Sequence, residues 1–350
     1  MKILIVKLSS LGDVVHTMPA VQDIRACWPA HADRTGADAA LSIDWVVERG
    51  FAPLLRHCAG VDRVIACDLR QWRRSFWREQ TRREWRDFLV ELREREYDAV
   101  IDLQGLIKSV LIARLAHRSP GGKRYGLGNR TEGSSFEAPA RWLVDVAIHV
   151  QPHIHALVRG RELCARALGY SLPDTMSFGL QANREPRAAG ADAAAPAGEA
   201  GTGQASHRPV VLLVHGSSRA DKLWPEENWI EAGQRIIEEG NQVALVHGSQ
   251  EEESRSQRIA RALGKQARVW PRMGLDELLD RMAQLRGVIG VDSGLSHVAV
   301  ALDLPHVQIY NFDTAWRTGP IGAVHQQSIF ETPTPSLEAV WSAWQQVLRA

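Results

Sequence analysis

Three short segments of this chain carry residue types that could do chemistry, and they share one outline. In each an apolar run ends, a Ser- or Gly-containing turn follows, and a helix-like stretch begins. In KLSSLGDVVHTMPA, residues 7–20, Asp13 falls where the helix starts. An Asp there often caps the helix, and a carboxylate on such a turn is also placed to accept a proton. The two roles are compatible. In GSSRADKLWPEENW, residues 216–229, Ser217 and Ser218 offer hydroxyls and amides, and Lys222 offers a compact positive charge suited to phosphate. Trp224-Pro225-Glu226 reads as a helix start with Pro near its first turn. The spacing G-x-x-x-x-G-K-[ST] is absent, so this is not a Walker A loop. In VDSGLSHVAVA, residues 291–301, Asp292, Ser293 and Gly294 sit where sugar hydroxyls or phosphates would be held, and Gly294 permits close backbone approach. His297 falls on the first helical turn and faces the same region, although a lone His is often structural. A helix N-terminus presents free amides and a positive dipole end, which suits all three turns to anions.

A fourth feature is basic. Arg70, Arg73, Arg74, Arg78, Arg82, Arg83 and Arg86 are interleaved with Trp72, Trp77 and Trp85. Like charges four apart disfavour a helix by roughly 0.2–0.5 kcal/mol per pair. Two readings stay open: a solvated face tempered by Glu79, Glu84 and Asp87, or a platform for an anionic partner or membrane surface. Nucleic acid finds no support elsewhere in the chain. Gly121–Gly128 does not match G-x-G-x-x-G after a clear strand, which counts against a dinucleotide-dependent oxidoreductase. His149, His153 and His155 lack a metal-ligand pattern, and no metal site is expected. Glu252 and Glu253 fall in the first turn of a helix, where acids favour the dipole and either could reach a ribose or a base.

These turns need elements to hold them. Strands are expected at Lys2–Val6, Ser42–Val47, Arg63–Ala66, Ala99–Leu103, Val210–Val214, Gln242–Val246, Gly287–Val291 and His306–Tyr310. Helices are expected at 14–27, 78–96, 107–116, 155–168, 226–239, 252–263 and 275–285. Short apolar strands alternating with amphipathic helices predict parallel sheets covered on both faces. The pattern occurs twice, so the fold class is α/β with two Rossmann-like lobes. Ligands of such sheets bind beyond the carboxyl ends of the strands, which points to the cleft between the lobes.

The 350 residues, 45% apolar and 24% charged with net charge +1, fit about two globular domains and exclude a disordered or fibrous chain. Residues 184–206 contain no Val, Ile, Leu, Met or aromatic residue and are expected to form a linker. The expected layout is a first lobe at 1–180, a linker at 181–208, a second lobe at 209–335, and a Trp-bearing helix at 336–350 packing back on the lobes. A polar stretch at 31–42 reads as a surface insertion. The first lobe carries 26 basic and 21 acidic side chains, net +5; residues 209–350 carry 13 and 17, net −4. An anionic partner is therefore expected on the first lobe. Cys27, Cys58, Cys67 and Cys164 include no C-x-x-C pair, which fits small buried side chains in a reducing compartment. No apolar run approaches the roughly 20 residues of a membrane span, and the apolar N-terminal run stops at Lys7, unlike a signal peptide. A cytoplasmic location is expected.

The segments KLSSLGDVVHTMPA (7–20), DWVVERGFA (44–52), YDAVIDLQGLIKS (97–109), RGRELCARALGY (159–170), SSRADKLWPEENW (217–229) and VDSGLSHVAVAL (291–302) together resemble the ADP-heptose heptosyltransferases, glycosyltransferase family 9. The likeness covers nearly the whole chain apart from 31–42 and 184–206. It implies the two-lobed GT-B fold and an inverting glycosyl transfer. The continuations H-T-M-P-A and D-L-Q-G-L-I-K-S favour the branch that moves L-glycero-D-manno-heptose from ADP-heptose to a Kdo residue of Kdo-lipid A. By resemblance, Asp13 is the general base and Lys222 steadies the diphosphate. Ser217, Ser218, Glu252, Met273, Asp292, Ser293, Gly294 and His297 are implied as donor residues. Ser10, Gly12, Arg70, Arg73, Arg74 and Lys108 are implied on the acceptor side; Arg130 falls in a region, 121–141, that departs from the family pattern. The likeness further implies no obligatory metal or other cofactor, no nucleic acid, a monomer, and peripheral attachment to the cytoplasmic face of the inner membrane.

Overall fold

The computed structural model describes residues 1–35, 40–182 and 208–350. The first part runs β1 (Lys2–Val6), α1 (Leu11–Thr35), β2 (Ser42–Glu48), α2 (Ala52–Arg56), β3 (Arg63–Cys67), α3 (Leu69–Ser75), α4 (Glu79–Arg93), β4 (Glu96–Asp102), α5 (Ile107–Leu115), β5 (His117–Leu127), β6 (Val146–Ile148) and α6 (Ala156–Leu168). The second runs β7 (Val210–Val214), α7 (Glu226–Glu238), β8 (Gln242–Leu245), α8 (Gln250–Leu263), β9 (Ala267–Val269), α9 (Leu275–Met282), β10 (Gly287–Val291), α10 (Gly294–Ala301), β11 (His306–Tyr310), α11 (Ala315–Thr318), β12 (Gln326–Phe330) and α12 (Leu337–Val347).

Each part forms one six-stranded parallel sheet, in the orders β3-β2-β1-β4-β5-β6 and β12-β11-β10-β7-β8-β9. Counted from the first strand of each part, both follow the doubly wound order 3-2-1-4-5-6. Strand direction of progression reverses between β1 and β4 in one sheet and between β7 and β10 in the other. A crevice opens beyond the carboxyl ends at such a reversal, and ligands of open α/β sheets bind there. The expectation of two Rossmann-like lobes of the GT-B kind holds.

The central strands are buried on both faces, as the continuous apolar runs require: Ile3–Val6 on β1 and all of β10 and β11 are shielded from solvent. On the outer face of the first sheet, Trp72, Phe88, Leu92, Ile112 and Ala113 of α3, α4 and α5 pack against Leu4, Val6 and Val100. The outer face of the second sheet is covered by Trp229 and Ile236 of α7, Ile259 of α8, and Val340 and Trp344 of α12. The inner layers merge. Val14, Met18 and Val21 of α1, Leu54 of α2 and Leu163 of α6 share one apolar core with Leu278 and Met282 of α9 and Val298 of α10.

Several expectations are adjusted. Helix α1 starts at Leu11 and continues to Thr35 through Pro19 and Pro29, so the stretch 31–42 is not simply an insertion: it supplies the last turn of α1 and the start of β2. Residues 36–39 lie outside the described residues, as does nearly all of the expected linker at 181–208. The Arg-rich stretch is two helices, α3 and α4, broken at Phe76–Arg78. Helix α12 packs on β11, β12 and α7 of the second lobe, rather than back across both. Strands β5, β6, β9 and β12 were not anticipated.

Candidate functional site

The β1–α1 loop is the first wall of the site. Helix α1 begins after Ser10, and Asp13 is its third residue rather than its N-cap. Its Oδ2 accepts hydrogen bonds from Ser10 N (3.1 Å) and Ser10 Oγ (2.9 Å). Asp13 thus caps the helix from inside and keeps its other oxygen, Oδ1, toward Lys7 Nζ at 3.4 Å. Lys7 is buried and donates to the Leu103 carbonyl at 3.2 Å. Burial alone would raise the Asp13 carboxyl, but Lys7, the two Ser10 bonds and the charge of Arg159 outweigh it and hold it well below the usual carboxylate range. Burial pushes the Lys7 ammonium down, and Asp13 opposes that.

The β4–α5 turn braces this loop. Gln104 Oε1 accepts from Leu8 N (3.1 Å) and Ser9 N (3.3 Å). The turn is fixed by buried Asp102, which accepts from Gln104 N (3.0 Å) and Gly105 N (3.3 Å). Burial raises the Asp102 carboxyl to about 6 against these bonds.

The second lobe supplies the opposite wall. Lys222 closes a short 3-10 turn, Ala220–Lys222, and its Nζ lies 2.5 Å from Asp292 Oδ2. Asp292 immediately follows β10, and its Oδ1 is 3.4 Å from His297 Nε2. Burial would raise the Asp292 carboxyl; His297 and Lys222 reverse this and keep it well below the usual range. Ser217 Oγ donates to the Asp292 carbonyl at 3.3 Å, tying the β7 and β10 loops together. Glu252 forms a capping box with Ser249: Ser249 Oγ accepts from Glu252 N (3.2 Å), and Glu252 Oε2 accepts from Ser249 N (3.2 Å) and Gly248 N (2.7 Å).

A cavity of about 470 Å³ lies between these walls. Ser10 and Gly12 line it from the first lobe; Ser217, Ser218, Lys222, Glu252, Met273, Asp292, Ser293, Gly294 and His297 line it from the second. Met273, Val246, Leu275 and Leu278 give its lining an apolar part. Two glycines allow the walls to approach. A Cβ on Gly12 would lie 2.5 Å from His297 Cδ2, and one on Gly294 would lie 2.8 Å from Leu11 Cβ. The expected close approach at Gly294 is therefore to another helix start, α1.

Behind His297 the lobes meet through imidazoles. The His16 ring is 4.3 Å from that of His297 and 5.9 Å from that of His155. His155 caps α6 by accepting from Leu157 N at 3.2 Å, and its Nε2 donates to the Gly319 carbonyl at 2.9 Å. Burial lowers both His16 and His155 and their imidazole neighbours lower them further, against the Gly319 hydrogen bond in the case of His155. Nearby, Trp316 stacks on His153 at 3.7 Å.

Not every anticipated residue reaches the cavity: Ser10, Leu11 and Gly12 line it, but Asp13 beside them does not. Arg70, Arg73 and Arg74 stand exposed on α3, and Lys108 is half-buried on α5; none of them lines it. Lys108 and Arg70 face the buried Glu48 at the end of β2, whose carboxyl is raised by burial and by Asp68 and lowered by these two cations. Glu253 lies outside the cavity lining. Lys7, Glu48, Gln104 and Arg159 were not singled out from sequence. Arg159 is buried on α6 and donates to Thr131 Oγ1 at 2.9 Å. Lys7 and Gln104 sit inside segments already quoted for their motifs, immediately beyond an apolar strand; that position is the signal that could have found them. Cys58, Cys67 and Cys164 are buried free thiols, and no group of three or more metal-ligating side chains occurs among the described residues.

A model of the family described as glycosyltransferase family 9 (heptosyltransferase) matches residues 85–341. The chain belongs to that family. This heptosyltransferase is 36% identical over 333 residues to lipopolysaccharide heptosyltransferase 1 of Pseudomonas aeruginosa, a match covering 94% of this chain and 84% of the relative. It is 35% identical over 311 residues to lipopolysaccharide heptosyltransferase 1 of Escherichia coli K12, covering 89% and 88%. Lipopolysaccharide heptosyltransferase 2 of the same strain is 26% identical over 333 residues, covering 92% and 86%. Among solved structures, E. coli heptosyltransferase WaaC with ADP superposes with a TM-score of 0.80 at 29% identity, covering 99% of this chain and 100% of that one. WaaC with ADP-2-deoxy-2-fluoro heptose gives 0.74 at 30% identity, covering 98% of each chain. The heptosyltransferase is thus an enzyme of glycosyl transfer in lipopolysaccharide core synthesis.

Proposed function

We propose that the enzyme transfers L-glycero-D-manno-heptose from ADP-heptose to a Kdo residue of Kdo-lipid A, by a single displacement that inverts the anomeric carbon. The observation that carries this reading is the meeting of two loops at one cavity, both at topological reversals: the Asp13 loop of the first lobe and the Lys222–Asp292 pair of the second. In this reading residues 1–180 hold the acceptor and 209–335 the donor. The likeness to heptosyltransferase 1 relatives, at higher identity than to heptosyltransferase 2, supports Kdo as acceptor.

The donor lies along the second wall. Its adenine meets Met273 and the apolar part of the lining, its ribose Glu252, and its diphosphate Ser217, Ser218, Lys222 and the amides that open α10 at Ser293 and Gly294. Taking up the diphosphate draws Lys222 from Asp292, which is then free to accept from heptose hydroxyls while His297 retains it. An acceptor hydroxyl held near Ser10 and Gly12 attacks the anomeric carbon. The new C–O bond forms as the bond to the diphosphate breaks, the electron pair leaves with ADP, and the proton passes to Asp13. Lys222 stabilises charge growing on the leaving oxygen, so no obligatory metal is invoked. Because Lys7 holds Asp13 ionised, the base is always in its accepting form, and it accepts the proton late, when the attacking oxygen has become strongly acidic. Arg70, Arg73, Arg74 and Lys108 meet the anionic remainder of the acceptor. The enzyme works as a monomer in the cytoplasm, peripherally at the inner membrane, without nucleic acid.

The test is ADP release from ADP-heptose with deacylated Kdo-lipid A, wild type beside Asp13→Ala. Release that needs both substrates and falls at least ~10²-fold in the variant, as loss of a general base predicts, supports the reading. Release only with an acceptor already carrying one heptose would move the reaction to a later step, and full activity in the variant would remove Asp13 as base.

A further inference from the structure

The outer helical layer of the first lobe bears a surface that the transfer chemistry does not use. Buried Trp72 and half-buried Trp85 point inward, their rings 5.4 Å apart, with Trp72 Nε1 donating to Glu84 at 3.0 Å. Trp77 does the opposite. It sits in the break between α3 and α4 with 76% of its surface exposed, beside Phe76 at 54%. On the same layer Val90 of α4 and Leu111 of α5 are exposed. Next to α5, the 3-10 segment Ala138–Leu143 projects Trp142, 70% exposed, with the Arg141 guanidinium 5.1 Å from its ring centre. Large apolar side chains are thus unburied on one layer, two of them tryptophans.

The charge around them is predominantly positive. Between residues 70 and 95 there are nine Arg and five acidic residues. Among the described residues, Arg70, Arg73, Arg74, Arg78, Arg82 and Arg86 pair with no carboxylate, while Arg83 pairs with Glu79. An exposed apolar patch of this kind needs a partner, and the charge selects which. A second copy meeting the same face about a two-fold axis would set unpaired arginines against arginines. Tryptophan and arginine together fit the headgroup zone of a bilayer: the indole ring settles at the water–lipid boundary and the guanidinium pairs with lipid phosphate.

We propose that the α3–α4–α5 layer is a docking face for an anionic phospholipid bilayer, with Trp77 and Trp142 as its anchors and Arg78, Arg82 and Arg86 as its charge. Its purpose rests on the proposed lipid-linked acceptor; the binding itself is read from the surface alone. The face includes α3, so a docked enzyme holds Arg70, Arg73 and Arg74 at the lipid surface, where an acceptor's sugar would emerge.

The test is flotation of the full chain with vesicles free of any lipopolysaccharide, phosphatidylcholine alone against a mixture with about one third phosphatidylglycerol. The enzyme should float with the mixed vesicles, stay behind with phosphatidylcholine alone, and be released by salt. Each basic side chain at such a surface contributes roughly fivefold, so R78E/R82E/R86E should weaken binding at least about 100-fold. Replacing the anchors in W77S/W142S should also weaken it and abolish the blue shift of tryptophan emission. Both variants alter exposed side chains and should keep wild-type turnover of a soluble, deacylated acceptor. Vesicle binding that ignores both variants overturns the proposal, as does absence of vesicle binding, dimerisation through Trp77 and Trp142, or binding of nucleic acid in place of vesicles. Loss of turnover with vesicle binding intact would sink the functional reading instead and leave the docking face standing.

Discussion

Adding one methyl group at Gly12 tests how the two lobes assemble the site. The new Cβ would lie 2.5 Å from His297 Cδ2, against the ~3.5–4.0 Å at which carbons rest, an overlap of about 1 Å. His297 has little room to yield. It is buried, its ring lies tilted against that of His16 at 4.3 Å, and it is 3.4 Å from the Asp292 carboxylate. The strain is therefore relieved by moving the start of α1 away from α10, which carries the Asp13 loop away from the donor wall. Overpacking of this kind costs roughly 1–3 kcal/mol, and a displacement of about 1 Å in a reacting geometry can cost ~10²-fold in rate. Gly12→Ala should thus keep its fold, lose a few degrees of Tm, and drop kcat/KM for ADP release about 100-fold. Gly294→Ala, whose Cβ would lie 2.8 Å from Leu11 Cβ, should do the same from the other side. Gly160→Ala is the control: it lies inside α6 with no atom within 4 Å of the added carbon, so helix propensity predicts a gain of up to ~1 kcal/mol and unchanged rate. Wild-type kcat/KM in both Gly12→Ala and Gly294→Ala would refute the account of lobe approach.

Removing the Gln104 acceptor strips two loop amides of their partner, at ~1–3 kcal/mol if they stay buried; Gln104→Ala should lower kcat more than it changes donor KM, with Gln104→Glu restoring much of it. Burial pushes the pKa of His215 and His306 down to about 4, outweighing Glu226 for the first and the Val288 carbonyl for the second. Free imidazole titrates near 6.5, so below that pH the unfolded chain binds protons the folded chain refuses; stability is full above about 6.5 and is lost as pH falls toward 4. Urea midpoints should drop from pH 7 to pH 5, less steeply in His306→Gln. Asp13 is held ionised far below neutrality, so log kcat/KM should show no acid limb from this group between pH 8 and 5, whereas Lys7→Met should bring one up into the measurable range. Trp344→Ala empties a fully buried site in the second-lobe core and should cost ~3–5 kcal/mol, read as a fall in urea midpoint with the α12 region opening first in hydrogen exchange.

The strands that face both layers were plain in the sequence. Lys2–Val6, Val210–Val214, Gly287–Val291 and His306–Tyr310 have the expected bounds, because a strand buried on both faces is largely apolar; His306 and Gln308 of β11 are the buried polar exceptions. The edge and near-edge strands were not legible. β5 reads HRSPGGKRYGL and exposes much of its first half, and neither alternation nor an apolar run marks it. Helix α4 was legible, since a helix was expected from residue 78, but α3 was not anticipated, and Phe76 and Trp77 between the two helices face solvent. In the site, the residues on strand-end turns were legible because chemistry and turn geometry coincide there. Lys7, Gln104 and Arg159 were not, since what gives them a role is a partner about 100 residues or more away in the chain or on another element: Lys7 with Leu103, Gln104 with Leu8, Arg159 with Thr131.

The apolar core shared by α1, α9 and α10 has a consequence for how the chain is born. Ribosomal synthesis delivers the first sheet and α1 well before α9 and α10 exist. At ~5–20 residues per second, the roughly 110–130 residues from the end of α6 to those helices take about 5–25 s to appear. Through that interval the side of α1 around Leu11 and His16 that α10 will cover has no mate. The nascent first lobe must therefore wait, half-finished and sticky, for its second half, and a chaperone that shields this one helix would serve it longer than one that shields any strand.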